Sequence, residues 1–178
     1  MVLSSQSKRL PVVRSGALLL AAQRLPAPIL FLSHIRLSGH ITGVLDTDEL
    51  GLLTLFAPTN WAFDRTFATY PGLDELLLGD PALLETVLLY HVVAAEVLPI
   101  DIPEEGVEVT TAGGETFIAF RECHMWGWWC YVGIQDGSLD VTWVTGFNRF
   151  ATNGVTHLID KVLIPPSLAE AVEGLRPV

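Results

Sequence analysis

Histidine, cysteine and tryptophan have the widest chemical reach in this chain, and their spacing decides what each set can do. The five histidines would be the natural ligands of a metal ion. His34 and His40 miss the i, i+4 spacing that puts two side chains on one helical face. His91, His124 and His157 are scattered, and His91 and His157 sit among Val and Leu. Such a histidine is usually a core residue bonded to a carbonyl, so no metal or cofactor is expected. Cys123 and Cys130 are the only cysteines. The stretch between them suits a hairpin loop closed by a disulfide; the other reading is two unlinked buried thiols. Closing so short a loop contributes about 2–3 kcal/mol on the chain-entropy model and goes with an oxidising compartment. The spacing excludes a reactive Cys-x-x-Cys pair. That same loop gathers Trp126, Trp128 and Trp129. Neighbours in a strand point to opposite faces, so Trp128 and Trp129 cannot both enter a one-sided core. The alternatives are a contact surface with an exposed ring or a satellite cluster folded over the sheet end.

No catalytic residues are expected. The chain has no Gly-x-Ser-x-Gly, no phosphate-binding Gly-x-x-x-x-Gly-Lys, no His-Glu-x-x-His and no Gly-x-Gly-x-x-Gly. Gly113-Gly114 is a hairpin turn, too short to cradle a phosphate.

The elements that must position these residues are those of one folded domain. Half of the 178 residues are hydrophobic and 17% are charged, which excludes a disordered tail and a solvated coiled coil. The net charge of −10 argues against a nucleic-acid partner. Residues 1–26 hold Lys8, Arg9, Arg14 and Arg24 and no acid, a net of +4, leaving −14 for residues 27–178. That head reads either as a signal peptide, with Gly16 to Ala22 as its apolar stretch, or as an N-terminal extension with an amphipathic helix over 16–25. No run reaches the ~20 apolar residues of a membrane-spanning helix.

Periodicity predicts a helix over 29–45 and a strand over 52–57, stopped by Pro58. Thr59 or Asn60 caps the next helix, and Leu73 to Leu78 makes a short one. Asp80-Pro81 is the clearest helix start, and that helix runs into an extended His91-Val92-Val93. From Val107 the period changes to two. Strands are expected at 107–109, 116–121, 129–134, 139–144, 150–151, 155–159 and 162–164, with tight turns at Asp136-Gly137 and Asn153-Gly154. Ser167 would cap a closing helix to Leu175. Helices mainly in the N-terminal half and strands after them describe an α+β domain.

Three segments, in order and at fitting separations, resemble the signature boxes of fasciclin-like domains: Thr54-Leu55-Phe56-Ala57-Pro58-Thr59-Asn60, then Tyr90-His91, then Asn153-Gly154-Val155-Thr156-His157-Leu158-Ile159-Asp160 with Val162 to Pro165 behind it. The resemblance covers about residues 27–166, leaving 167–178 as a C-terminal helix or tail. It implies a wedge-shaped β-sandwich with packed helices. It also implies an extracellular, periplasmic or cell-surface module for adhesion or matrix association, not an enzyme. Thr59, Asn60, His91, His157 and Asp160 match the family's structural hydrogen-bonding set. In animal members the region of Tyr90 and His91 is implicated in integrin binding, so these two join the candidate binding residues. The tryptophan-rich stretch between Cys123 and Cys130 is not part of the family pattern.

The expected partners are therefore a cell-surface or matrix protein or polysaccharide, with self-association as a further prospect. The alternative is a carbohydrate or small-molecule binding module using Trp126, Trp128 and Trp129 as a stacking platform. None of Asn60, Asn148 and Asn153 opens an Asn-x-Ser/Thr sequon, so N-glycosylation is not expected.

Overall fold

In a computed structural model, the described residues are 29–37, 51–124, 129–138, 140–151 and 153–177. Helix α1 (Ile29–Leu37) precedes strand β1 (Leu53–Pro58), and α2 (Asn60–Thr69), α3 (Leu73–Gly79) and α4 (Pro81–Tyr90) follow it. Then come β2 (Val92–Val93), β3 (Val107–Thr110), β4 (Thr116–His124), β5 (Trp129–Gln135), β6 (Val141–Ala151), β7 (Gly154–Ile159) and α5 (Pro166–Glu173). The expected second half of the first helix, the 16–25 stretch and any signal in residues 1–26 lie outside the described residues. No described helix is long and apolar enough to cross a membrane.

Local chemistry starts the helices. The Thr59 hydroxyl accepts from Ala62 N at 3.1 Å and caps α2. Asn60 is already helical, and its Oδ1 accepts instead from Leu30 N at 3.2 Å, tying α1 to α2. Asp80 Oδ1 accepts from Ala82 N and Leu83 N, with Pro81 supplying a first residue that needs no partner for its nitrogen. Replacing Thr59 with alanine removes one such cap. We expect a loss of about 1 kcal/mol in urea unfolding, and an unchanged midpoint would show that water replaces the cap.

The strands order as β2-β1-β7-β6-β5-β4-β3, with β1 and β7 parallel and the other pairs antiparallel. Laid flat, β1 and β4 would stand roughly 19 Å apart at ~4.8 Å per strand. Instead the rings of Phe56 on β1 and Phe117 on β4 are 5.6 Å apart, edge to face. The sheet is therefore folded over itself, making a sandwich. Phe56, Val144 and Ile159 pack against Phe117, Ala119, Val132 and Ile134 inside the fold. The opposite face of β1, with Leu53, Leu55 and Ala57, packs against Phe31, Phe63, Leu73, Val87 and Leu88 of the helices. Because β1 is buried on both faces, it reads as a continuous apolar run.

Three expectations change. Residues 141–144 and 150–151 of the two expected strands belong to one strand, β6, whose pairing with β7 shifts between Val144 and Gly146 and again between Gly146 and Arg149. These irregularities fall in the stretch that separates the two expected strands. Val162 to Ile164 is not a strand, because its backbone donors go to side chains. Val162 N donates to Thr66 Oγ1, Leu163 N to His91 Nε2 and Ile164 N to Asp136 Oδ2, at 3.0, 3.0 and 2.7 Å. Ser167 does not cap α5, which begins at Pro166. Its amide and hydroxyl instead donate to the Glu115 carboxylate.

Candidate interaction surface

The polar residues of the three signature segments point inward. Tyr90 and His91 are 1% and 0% exposed. The Tyr90 hydroxyl donates to Thr116 O at 2.8 Å, anchoring α4 to β4, and burial pushes its pKa well up. His91 Nδ1 lies 2.7 Å from Val87 O, and Nε2 accepts from Leu163 N. One nitrogen must therefore carry the proton and the other must not, and burial pushes the imidazole down to about 4. A partner at the surface cannot reach either side chain. Both ring systems are committed to the interior, so the binding role that the resemblance attached to Tyr90 and His91 has no exposed side chain to act through. His157 Nε2 sits 2.8 Å from Val97 O, and burial lowers its pKa too. Asp160 Oδ1 accepts from Trp143 N at 2.7 Å while its Oδ2 receives Arg65 at 2.6 Å. Among the described residues, no three His, Cys, Asp or Glu gather to hold a metal ion.

What faces outward is aromatic. Cys123 and Cys130 pair directly across β4 and β5 and are joined by a disulfide. This bond fixes the end of the hairpin where His124 stands opposite Trp129. Trp129 is 62% exposed and Tyr131, next on the same face, 50%. Trp126 and Trp128 lie outside the described residues.

Gly133 allows the aromatic face to continue inward. A β-carbon there would come within 2.8 Å of the Phe120 ring, so glycine lets that ring lie across β5. Phe120 meets Trp143 of β6 edge-on at 5.9 Å, Trp143 meets Tyr131 at 6.4 Å, and Tyr131 meets His124 at 6.2 Å. His124 Nε2 is 3.0 Å from Glu122 Oε1. Tyr131, Trp143, Phe120 and Phe147 were not singled out by sequence reasoning. Strand alternation from Trp129 through Tyr131 to Gly133 carries that signal on β5.

Beside this face the sheet opens. Pairing of β5 with β6 covers Gln135↔Val141, Ile134↔Thr142 and Gly133↔Trp143, and there it stops. From Val144 onward β6 pairs with β7, while β5 stays with β4 as far as Trp129. The diverging strands bound an open groove of about 610 Å³, whose lining includes Glu122, His124, Tyr131, Trp143 and Phe147.

A small α+β module results, with polar signature residues holding its own backbone and an aromatic groove left to the surface. A model of the fasciclin domain matches residues 31–165, and this chain belongs to the fasciclin domain family. Periostin of Homo sapiens is 31% identical over 126 residues, covering 69% of this chain and 13% of periostin. The immunogenic protein MPB70 of Mycobacterium bovis is 32% identical over 134 residues, 74% of this chain and 61% of that protein. The cell surface glycolipoprotein MPB83 of the same species is 34% identical over 125 residues, 70% of this chain and 49% of that one. The match thus spans less than two thirds of each of these relatives. Among solved structures, the FAS1 domain pair of the insect cell adhesion molecule Fasciclin I superposes with a TM-score of 0.65. It is 18% identical, and the match covers 82% of this chain and 49% of that one, a likeness of fold.

Proposed function

We propose that this domain is an extracellular or cell-surface adhesion or matrix-association module, without catalysis, that binds through the aromatic groove between β5 and β6. The observation that carries the reading is the exposure of Trp129 and Tyr131 beside an open groove, on a hairpin held by a disulfide. Large aromatic rings left in water are the groups from which binding hot spots are made. The disulfide fits an oxidising compartment outside the cytoplasm. A relative named a cell surface glycolipoprotein and a fold neighbour named a cell adhesion molecule support the same location and role. The net charge of −10 argues against nucleic acid as a partner.

Trp126, Trp128 and Trp129 are the test. With all three changed to alanine, retention of the labelled domain by intact cells or matrix of its source is expected to fall about thirtyfold, the scale of one hot spot. Trp129→Ala alone should hardly move the urea midpoint, because Trp129 is exposed. Equal retention by a stable triple variant would overturn this use of the loop. A second reading takes the same rings as a stacking platform for sugar. Glycan-array binding with tryptophan quenching favours it, and silence across diverse glycans removes it.

A further inference from the structure

We infer that the cavity enclosed by α1, α2, α3 and α4 is a second binding site, for a small apolar molecule whose polar end is an ammonium group. It lies among the helices, whereas the aromatic groove lies on the sheet, and it goes beyond the adhesion reading without resting on it.

Phe31 of α1, Phe63 and Phe67 of α2, Leu77 of α3 and Val87 and Leu88 of α4 line a cavity of about 210 Å³. Protein interiors leave few voids larger than a water molecule, so packing alone does not account for this space. A cavity of about 150 Å³ walled by Leu, Ile and Phe takes up benzene, and by proportion this one holds roughly eight non-hydrogen atoms. The cavity is graded in depth. Phe31, Phe63, Leu77, Val87 and Leu88 are at most 5% exposed and make its floor. Leu30 and Leu78 are 40% and 61% exposed and stand at its mouth. His34 follows Leu30 by one helical turn and Asp74 precedes Leu78 by one, and both are partly exposed. An apolar body therefore goes inward and a polar end stays at the mouth.

The polar side chains choose that end. Among the described lining residues these are His34, Asp74 and His91. Both nitrogens of His91 are committed to backbone, to Val87 O and Leu163 N, so it offers the cavity only a ring face. His34 Nδ1 lies 2.6 Å from Leu30 O. A carbonyl only accepts, so this nitrogen carries the hydrogen and Nε2 of the neutral ring is an acceptor. The His34 ring is stacked on Phe63 with centroids 5.9 Å apart, which holds it against the wall. Asp74 adds a carboxylate, an acceptor with charge. Two acceptors at the mouth call for a donor, and the charged one favours a cation, since charge-assisted hydrogen bonds are the stronger kind. A fatty-acid head would set a third acceptor against these two. The net −14 over residues 27–178 biases the choice the same way.

The test titrates n-alkylamines from butyl to decyl, with octanol and octanoate beside them, into the full chain with its disulfide intact. Side-chain NMR shifts report the place and the affinity. Shifts are expected at Phe63, Leu77, Val87 and Leu88. Amine affinity should rise about fourfold per carbon as far as octylamine, then level off at decylamine because the floor is closed. Octylamine should bind about tenfold tighter than octanoate, and Asp74→Asn should bring the two within about threefold while leaving octanol unchanged. Leu84→Trp fills the cavity from a partly buried wall position and should abolish binding without lowering the urea midpoint. Should that variant fail to fold, Leu84→Phe is the smaller filling and should cost at least about tenfold in affinity. Shifts that avoid the four floor residues overturn the site, as does binding that survives the filling variant in a folded protein. Affinity that keeps climbing through decylamine signals adsorption to apolar surface and overturns it too. Octanol or octanoate binding tighter than octylamine overturns the ammonium head. Cell retention of the tryptophan variants is a separate measurement, so failure here leaves the adhesion reading where it stands.

Discussion

Gly154→Ala is expected to cost about 4–5 kcal/mol, a large share of the ~5–15 kcal/mol by which a domain is stable. Gly154 opens β7 opposite Leu53 on β1 and Ala151 on β6. Its φ is +152°, outside the range that L side chains readily adopt. A β-carbon placed there would lie within 2.8 Å of Leu53 C and N and closer still to the Leu53 carbonyl oxygen. The obstacle is backbone, so no rotamer change relieves it. Either β7 withdraws from β1 or β1 moves, and β1 is buried at every position from Leu53 to Pro58. The parallel pairing that links the two halves of the chain, from Leu53↔Gly154 to Pro58↔Ile159, would open from its first rung. Gly79→Ala is the control, since a β-carbon there meets nothing within 4 Å; it should be neutral or stabilise by up to about 1 kcal/mol. Circular dichroism across a urea series reads both. A Gly154→Ala midpoint close to the parent's would show that the strands accommodate a methyl group, against this account of the turn.

That glycine also shows which parts of the fold a sequence can reveal. Asn153-Gly154 is legible as a tight turn because positive φ is a property of the residue type itself. Asp80-Pro81 is legible for the same reason, its cap being made within three residues. Val162 to Ile164 is different. A short apolar run reads as a strand, and nothing local reveals that Thr66, His91 and Asp136 receive its amides across separations of 28 to 96 residues. The exchange of partners along β6 is hidden likewise, since which neighbour a strand pairs with depends on the folded sheet. The disulfide is legible as one of two readings of the spacing between Cys123 and Cys130, and alternation narrows the exposed ring to Trp128 or Trp129 without choosing between them. The groove beside them follows from where β6 leaves β5, and is not legible. Tyr90 and His91 differ again: the apolar neighbours of His91 already read as core, the contact role came from the resemblance alone, and both side chains lie in the interior.

Stability is expected to fall as pH drops from about 6.5 to about 4.5, and His91 is the main cause. In the fold its Nδ1 hydrogen is donated to Val87 O and its bare Nε2 accepts from Leu163 N, with no exposure to water. Protonating Nε2 would set a donor against the Leu163 donor in an apolar surround that includes Phe31, whose ring lies 5.3 Å away. Desolvation therefore holds the folded pKa at about 4, against 6.5 for the free group. Above pH 6.5 both states are neutral and the full contribution is present. Between 6.5 and 4 the unfolded chain takes a proton that the folded chain refuses, and about 3 kcal/mol is lost. His157, lowered by burial, acts in the same direction. Asp136 opposes them, because burial raises its pKa and the folded state is the better proton acceptor as acid is added. A urea midpoint that is level from pH 8 to 7 and declines toward 4.5 is the expected profile. His91→Gln offers a neutral amide in place of the ring, so it should lose most of that slope. His91→Leu strands the Leu163 amide and the Val87 carbonyl, costing about 2–4 kcal/mol at pH 7. An unchanged slope in His91→Gln would move the cause elsewhere. Glu122 and His124 line the groove as well, so affinity has to be read per folded molecule, separately from the midpoint. If affinity per folded molecule falls while the midpoint holds, the groove itself is pH-sensitive and His91 is not what limits the module in acid.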